Sequence, residues 1–203
     1  MFVKPHKLVR LLYPSLIWKK KIQEKTVWLT FDDGPHKEVT PWILSILAEE
    51  KITATFFLVG QQIIKFPELV GEIEKKGHVI GNHSFSHLNG WTSYNKIFFK
   101  DIEKCQKLIP QNTLFRPPYG KLCFSQIQKL KRKYKLILWD VLSLDFKETI
   151  TSNEVQSNVL NNVESGSIIV FHNNEKSFKK LKPILKETIS ELKNRGYDFS
   201  TIW

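Results

Sequence analysis

Runs of apolar, β-branched and aromatic residues recur along the chain at 27–31, 54–59, 78–80, 114–115, 136–140, 168–171 and 199–203. Two of these runs, 114–115 and 168–171, contain no polar residue and the others at most two, as expected of strands covered on both faces of a sheet. Between them lie longer segments in which apolar positions return every three or four residues, the period of a helix with one buried face. Punctuation marks their ends. Thr40 followed by Pro41 reads as an N-cap with proline in the first turn, opening a helix through Glu50. Pro67 opens a second, which Gly77 closes. Further helices are predicted over 94–109, 125–134, 153–163 and 177–195, the last ended by Gly196.

Seven strands alternating with six helices predict parallel strands joined by crossovers, hence an α/β architecture. An incomplete or distorted barrel and an open doubly wound sheet both fit that count. A chain of 203 residues suits one compact domain, placed here at 26–203 behind an extension at 1–25. Within the extension, residues 8–18 are apolar but carry Arg10 and Pro14, and no small-residue cleavage site follows. That pattern predicts neither a secretory leader nor a membrane span. It predicts a short amphipathic piece packing on the domain, with loose membrane association as the alternative. The default location is then cytoplasmic, the cell envelope being the alternative.

Composition changes this picture little. Hydrophobic residues make up 41% of the chain, enough for a core, and charged residues 25%, ordinary for a soluble protein. Two cysteines, Cys105 and Cys123, are too few and too far apart for a disulfide framework or a cysteine metal site. The net charge of +11 is concentrated in Lys19–Lys20–Lys21, in 129–135 and in 176–186. Such clusters read as solvated helix faces, and charge alone names no specific nucleic-acid partner.

The placement of chemically capable side chains changes it more. Asp32 and Asp33 follow the first strand, His83 and His87 the third and Arg116 the fourth; Asp140 and Asp145 follow the fifth, and His172 ends the sixth. These are strand C-termini, where α/β proteins build their active sites. His83 and His87 are four residues apart, so on a helical turn both would face one way, within reach of a single metal ion. A carboxylate from another strand end would complete a site of two histidines and one acid. Adjacent acids repel each other, and a divalent ion would resolve the conflict by dividing their tasks. One would ligate, while the other takes a proton from water whose pKa the ion lowers towards roughly 7. Without a metal the same residues are an acidic turn.

The motifs "TFDDGP" (30–35), "HSFSH" (83–87), "RPPY" (116–119), "LSLDF" (142–146) and "IIVFH" (168–172) stand in an order that resembles the polysaccharide deacetylases of carbohydrate esterase family 4, the NodB-homology domain. The resemblance covers about residues 26–203. It implies a distorted (β/α) barrel of seven strands and a hydrolase removing N-acetyl groups from an amino-sugar glycan, peptidoglycan-like or chitin-like. It implies Asp33, His83 and His87 as ligands of one divalent metal, zinc first and cobalt or another ion second. Asp32 would be the general base, oriented by Arg116. The backbone N–H of Tyr119 would hold the oxyanion, and His172, backed by Asp145, would be the general acid. Alternatives are an O-acetyl esterase acting on xylan, a lapsed carbohydrate-binding protein and iron(II) oxygen chemistry, the last of which needs no such acid–base pair. The chain departs from the family pattern at Phe146, where tryptophan is usual, at Leu142, where an acid is usual, and at Asn173, where aspartate is common. His36 reads as exposed loop, His6 belongs to the extension and His78 reads as structural. Trp91 suits either a sugar-stacking or a core role, and Asp140 carries no assigned role.

Overall fold

The computed structural model describes residues 2–203. In chain order its elements are α1 (Lys7–Leu12), β1 (Thr26–Asp32), α2 (Val39–Glu49), β2 (Thr55–Leu58), α3 (Gly60–Lys65), α4 (Pro67–Lys75) and β3 (Val79–Asn82). Then come α5 (Asn95–Gln106), β4 (Leu114–Phe115), a 3₁₀ turn (Pro118–Gly120), α6 (Phe124–Leu130), β5 (Lys135–Leu136) and β6 (Val141–Leu142). The chain finishes with α7 (Ser152–Leu160), β7 (Ile168–His172), α8 (Glu175–Leu181), α9 (Leu185–Asn194) and β8 (Asp198–Phe199). The strands are parallel in the order β5-β4-β3-β2-β1-β7-β6, with β8 also paired to β1. This is a distorted (β/α) barrel.

Alternation along β1 sorts its side chains. Val27, Leu29 and Phe31 join the large core beneath the helices, with Ile43, Leu44 and Leu47 of α2. Trp28 points the other way, into a cluster with Phe57, Leu114, Ile137 and Ile168. Thr30 and Asp32 share that inner face, and Arg116 bonds both, so Trp28, Thr30 and Asp32 form successive layers of the barrel interior.

Several expectations change. The single strand over 136–140 is instead β5 and β6, because the chain steps across the barrel seam there. The Ile137 N–H donates to the Phe115 carbonyl in β4, whereas that of Asp140 donates to Ile168 in β7, and one straight strand cannot pair with both. Asp140 therefore lies at the N-terminal end of β6, away from the other site candidates. The helix over 177–195 is two, α8 and α9, separated at Pro183, which has no N–H to continue the ladder. A short α3 precedes α4, and α2 starts at Val39, one residue before the expected cap at Thr40.

The extension is tied to the barrel by its backbone. Leu142 N–H donates to Val3, Ile17 N–H to Leu136, Leu138 N–H to Ile17 and Lys20 N–H to Gly166. Leu16 is buried, yet α1 itself buries no residue. Cys105 and Cys123 are both free thiols. Among the described residues no helix is long and apolar enough to cross a membrane.

Candidate active site

Parallel pairing of β1 with β7 places Asp32 opposite His172 in register. At Asp33 the backbone turns into the left-handed region, φ 76°, as the strand ends. That turn sends two consecutive carboxylates in different directions. Asp32, 4% exposed, stays in the barrel, where Arg116 Nη1 donates to its Oδ1 at 2.7 Å. Asp33 Oδ1 faces His83 Nε2 at 3.6 Å and His87 Nε2 at 3.3 Å, while its Oδ2 accepts from Asn174 Nδ2 at 2.7 Å.

His83 and His87 do not sit on a helical turn. Residues 83–87 form a loop with positive φ at Ser84 (64°) and His87 (58°), so backbone reversal, not helical spacing, brings the rings to 5.0 Å. Asp101 of α5 fixes this loop, accepting from the N–H of Phe85 (2.9 Å), the N–H of Ser86 (3.0 Å) and the Ser86 hydroxyl (2.6 Å). His83 Nδ1 lies 2.7 Å from the Arg116 carbonyl. A carbonyl can only accept, so Nδ1 carries the proton and Nε2 turns its lone pair to Asp33. Burial pushes the His83 pKa down to about 4, against the pull of Asp32 and Asp33, so the ring is neutral. Burial opposes the charge on Asp33 too, but His87, His172 and His83 hold its carboxyl far below the usual carboxylate range.

These groups fit a cation. Ligand atoms of Asp33, His83 and His87 lie within 4.8 Å of one another, and Asp33 Oδ1 is buried without a hydrogen-bond partner. An ionised, buried oxygen facing two ring nitrogens lacks only a positive centre between them.

On the other side, both oxygens of the buried Asp145 engage His172. Oδ1 lies 2.7 Å from Nδ1, and Oδ2 accepts the backbone N–H at 2.7 Å. Burial disfavours the imidazolium, yet Asp145, with help from Asp33 and Asp32, raises the His172 pKa to about 9. Arg116 is fully buried, with Nη1 on Thr30 and Asp32, Nη2 on the Leu138 carbonyl and its guanidinium 4.1 Å from the Phe57 ring centre. Tyr119 has φ 60° and packs its ring on His87 at 4.6 Å. Among the described residues six other than glycine have positive φ: Asp33, His87 and Tyr119 line this cleft, Ser84 lies between its two histidines, Leu144 precedes Asp145, and Lys51 lies elsewhere. Strained backbone of this kind gathers where side-chain direction is functional.

The cleft has a volume of about 530 Å³, and Tyr119, Trp139, Leu142 and Phe146 supply an apolar wall. A hollow of about 570 Å³ beside Glu74, His78 and Trp203 assembles no comparable groups. Every residue given a role in the sequence lines the first cleft or bonds directly to one that does. Asp140, to which the sequence assigned no role, binds Arg10 and Ser167 at the far end of the strands. Asn173 turns away from His172 to pair with Thr40. His36 caps the start of α2, His78 is buried, and Trp91 is 66% exposed, so it is not core. Sequence reading missed Trp139 and Asn174. Asn174, two residues past His172, carried the signal of an N-cap residue next to a motif. Trp139 carried none, because its place depends on the step across the seam.

Comparison with known proteins bears on the family and the fold. The family model "Polysaccharide deacetylase" matches residues 19–135, which include Asp32, Asp33, His83, His87 and Arg116 but stop before Asp145 and His172. A peptidoglycan-N-acetylglucosamine deacetylase of Bacillus cereus is 36% identical over 183 residues, covering 87% of this chain and 66% of that one. The solved structure of a peptidoglycan N-acetylglucosamine deacetylase bound to a naphthyl-substituted N-oxidanyl-benzamide superposes with a TM-score of 0.87 at 31% identity, covering 92% and 90%. A carbohydrate esterase family 4 pseudoenzyme from Bacillus anthracis superposes at 0.81 with 25% identity, covering 92% and 66%. A family match over more than half of the sequence, joined to structural agreement over nearly all of it, makes this chain a member of the polysaccharide deacetylase family.

Proposed function

We propose that the protein is a divalent-metal-dependent hydrolase that removes N-acetyl groups from an amino-sugar glycan of the peptidoglycan type. One observation carries the reading. Asp32 with Arg116, and His172 with Asp145, stand side by side in register next to the Asp33–His83–His87 cluster. The names of the related enzymes supply the substrate class. Asp33, His83 and His87 would hold the ion, with zinc suiting two imidazoles and one carboxylate and cobalt next. Such an ion supplies Lewis acidity, acidifying water and polarising a carbonyl.

The residues divide the remaining work. Arg116 balances and orients Asp32, whose Oδ2 is turned to the His83 side, and Asp32 accepts a proton from the attacking water. The water oxygen bonds the acetyl carbon, and the backbone N–H of Tyr119 donates to the developing oxyanion. The C–N bond breaks as His172 passes its Nε2 proton to the sugar nitrogen, because an amine leaves poorly without one. Asp145 keeps that imidazole charged and its Nδ1 engaged. Acetate and a free amine result. The apolar wall of Trp139, Leu142 and Phe146 accepts the acetyl methyl and a sugar face. Phe146 meets His172 edge-on at 4.9 Å, so the departure from tryptophan retains an aromatic beside the acid.

The test is acetate release from N-acetylated chito-oligosaccharides and peptidoglycan, with acetylated xylan alongside, before and after chelation and with zinc restored. Release from the amino sugars is expected to need the metal and to fall by about 10²–10⁴-fold in Asp32→Asn. Release from xylan alone would make the protein an esterase. Glycan binding without release by the metal-loaded wild type would make it a lapsed enzyme, as in the Bacillus anthracis relative.

A further inference from the structure

Helix α1 is mounted with its sides reversed. Amphipathic helices of soluble proteins bury the apolar side and expose the polar one. Here Arg10 points inward, its Nη2 2.5 Å from Oδ1 of the fully buried Asp140. Leu8, Leu11 and Leu12, spaced as one helical face, are 61%, 75% and 72% exposed. The helix is held at both ends, by the Val3 and Ile17 backbone bonds to the barrel, so the leucines cannot simply fold under.

Charge says what covers them. The first 23 residues contain six lysines and arginines and no aspartate or glutamate. Lys4, Arg10 and Lys19 are matched by Asp140 and Glu164, but Lys7, Lys20 and Lys21 make no ion pair among the described residues. Beside α1 lies a cleft of about 490 Å³ lined by Arg10, Trp18, Lys19, Lys20 and Lys21. A second copy seated on this face by two-fold symmetry would bring like charges together. Exposed leucines ringed by cations, with an aromatic at the rim, match an anionic bilayer surface instead.

We propose that α1 and the adjoining Lys19, Lys20 and Lys21 form a docking face for anionic phospholipid. Leu8, Leu11 and Leu12 enter the acyl boundary, and Lys7 and Lys21 meet headgroup phosphates, while the Lys20 ammonium lies over the Trp28 and Trp203 rings. The face lies at the N-terminal end of the strands, since Asp140 precedes β6 and Gly166, which accepts the Lys20 N–H, precedes β7. The catalytic cleft opens at the opposite end, so a docked protein presents it away from the bilayer. The inference does not depend on the hydrolytic reading.

Vesicle co-sedimentation of the full chain tests it, using phosphatidylcholine alone and phosphatidylcholine with roughly a third phosphatidylglycerol. Binding is expected only to the anionic vesicles, weakening with salt. Leu11→Glu/Leu12→Glu should reduce it by about tenfold or more, and Lys7→Glu/Lys21→Glu should also weaken it. All four side chains are exposed, so unchanged far-UV circular dichroism and melting are expected for both variants. Absence of binding would overturn the proposal, as would binding indifferent to the leucine substitutions. Concentration-dependent dimerisation lost in the leucine variant would overturn it in favour of a second copy.

Discussion

His172 shows how one side chain is set by opposing forces. Burial alone would leave it neutral at pH 7, and Asp145 reverses that, raising its pKa from about 6.5 to about 9. A folded-state pKa above the unfolded one stabilises the protein fully below about pH 6.5, and that contribution is lost as pH rises through about 9. Deacetylation should therefore show a basic limb. A cation held by Asp33, His83 and His87 pulls the value down, so the limb falls at or below about pH 9. Asp145→Asn removes the charge that holds the proton. It is expected to move the limb acidward by a pH unit or more and to cost about tenfold or more at pH 8. A pH–rate profile of kcat that did not move would show that Asp145 only packs.

At the level of elements, the metal-type cluster depends on a helix that contributes none of its ligands. The loop carrying His83 and His87 has no helical ladder of its own, and Asp101 of α5 satisfies three of its donors. Asp101→Ala leaves those donors unpaired. It is expected to destabilise the protein by about 1–3 kcal/mol in denaturant unfolding. The same change should weaken zinc binding by about 10–100-fold in a calorimetric titration, since supporting groups tune ligand orientation. Lost stability with unchanged zinc affinity would mean that the loop keeps its shape without α5. Phe31 shows the complementary dependence: it stacks on Phe56 and Phe171 from the two flanking strands, holding the base of the Asp32–His172 pair level.

For the whole molecule, the site joins distant parts of the chain, so a metal bound there is folding free energy. Asp33 directly follows β1, the histidines lie in the loop after β3, and their supports are Arg116 just after β4 and Asn174, the N-cap of α8. Zinc at a hundredfold excess over its Kd is expected to add about 2.7 kcal/mol to stability, read as a rise in Tm that a chelator reverses. Asp33→Ala should abolish that rise. An equal rise in the variant would place the bound metal elsewhere.

Short motifs let the sequence by itself point to the α/β class and to the site candidates Asp32, Asp33, His83, His87, Arg116, Tyr119, Asp145 and His172, while the barrel is implied only by the family resemblance. Those residues end a strand or follow one within about five residues, and a parallel strand delivers whatever follows it to one end of the barrel. Only the tertiary structure decided the rest. Asp140 also borders a strand, but the crossing from β4 to β7 puts it at the opposite end, and the same crossing brings Trp139 into the cleft. The paired histidines meet through positive-φ turns, which no residue spacing records. The outward leucines of α1 carry a buried-face pattern, and they face solvent where long-range contacts hold the helix: Arg10 to Asp140, 130 residues away, and the backbone bonds of Val3 and Ile17 to the barrel. Periodicity encodes which face is apolar, whereas contacts between distant residues decide which way that face is turned.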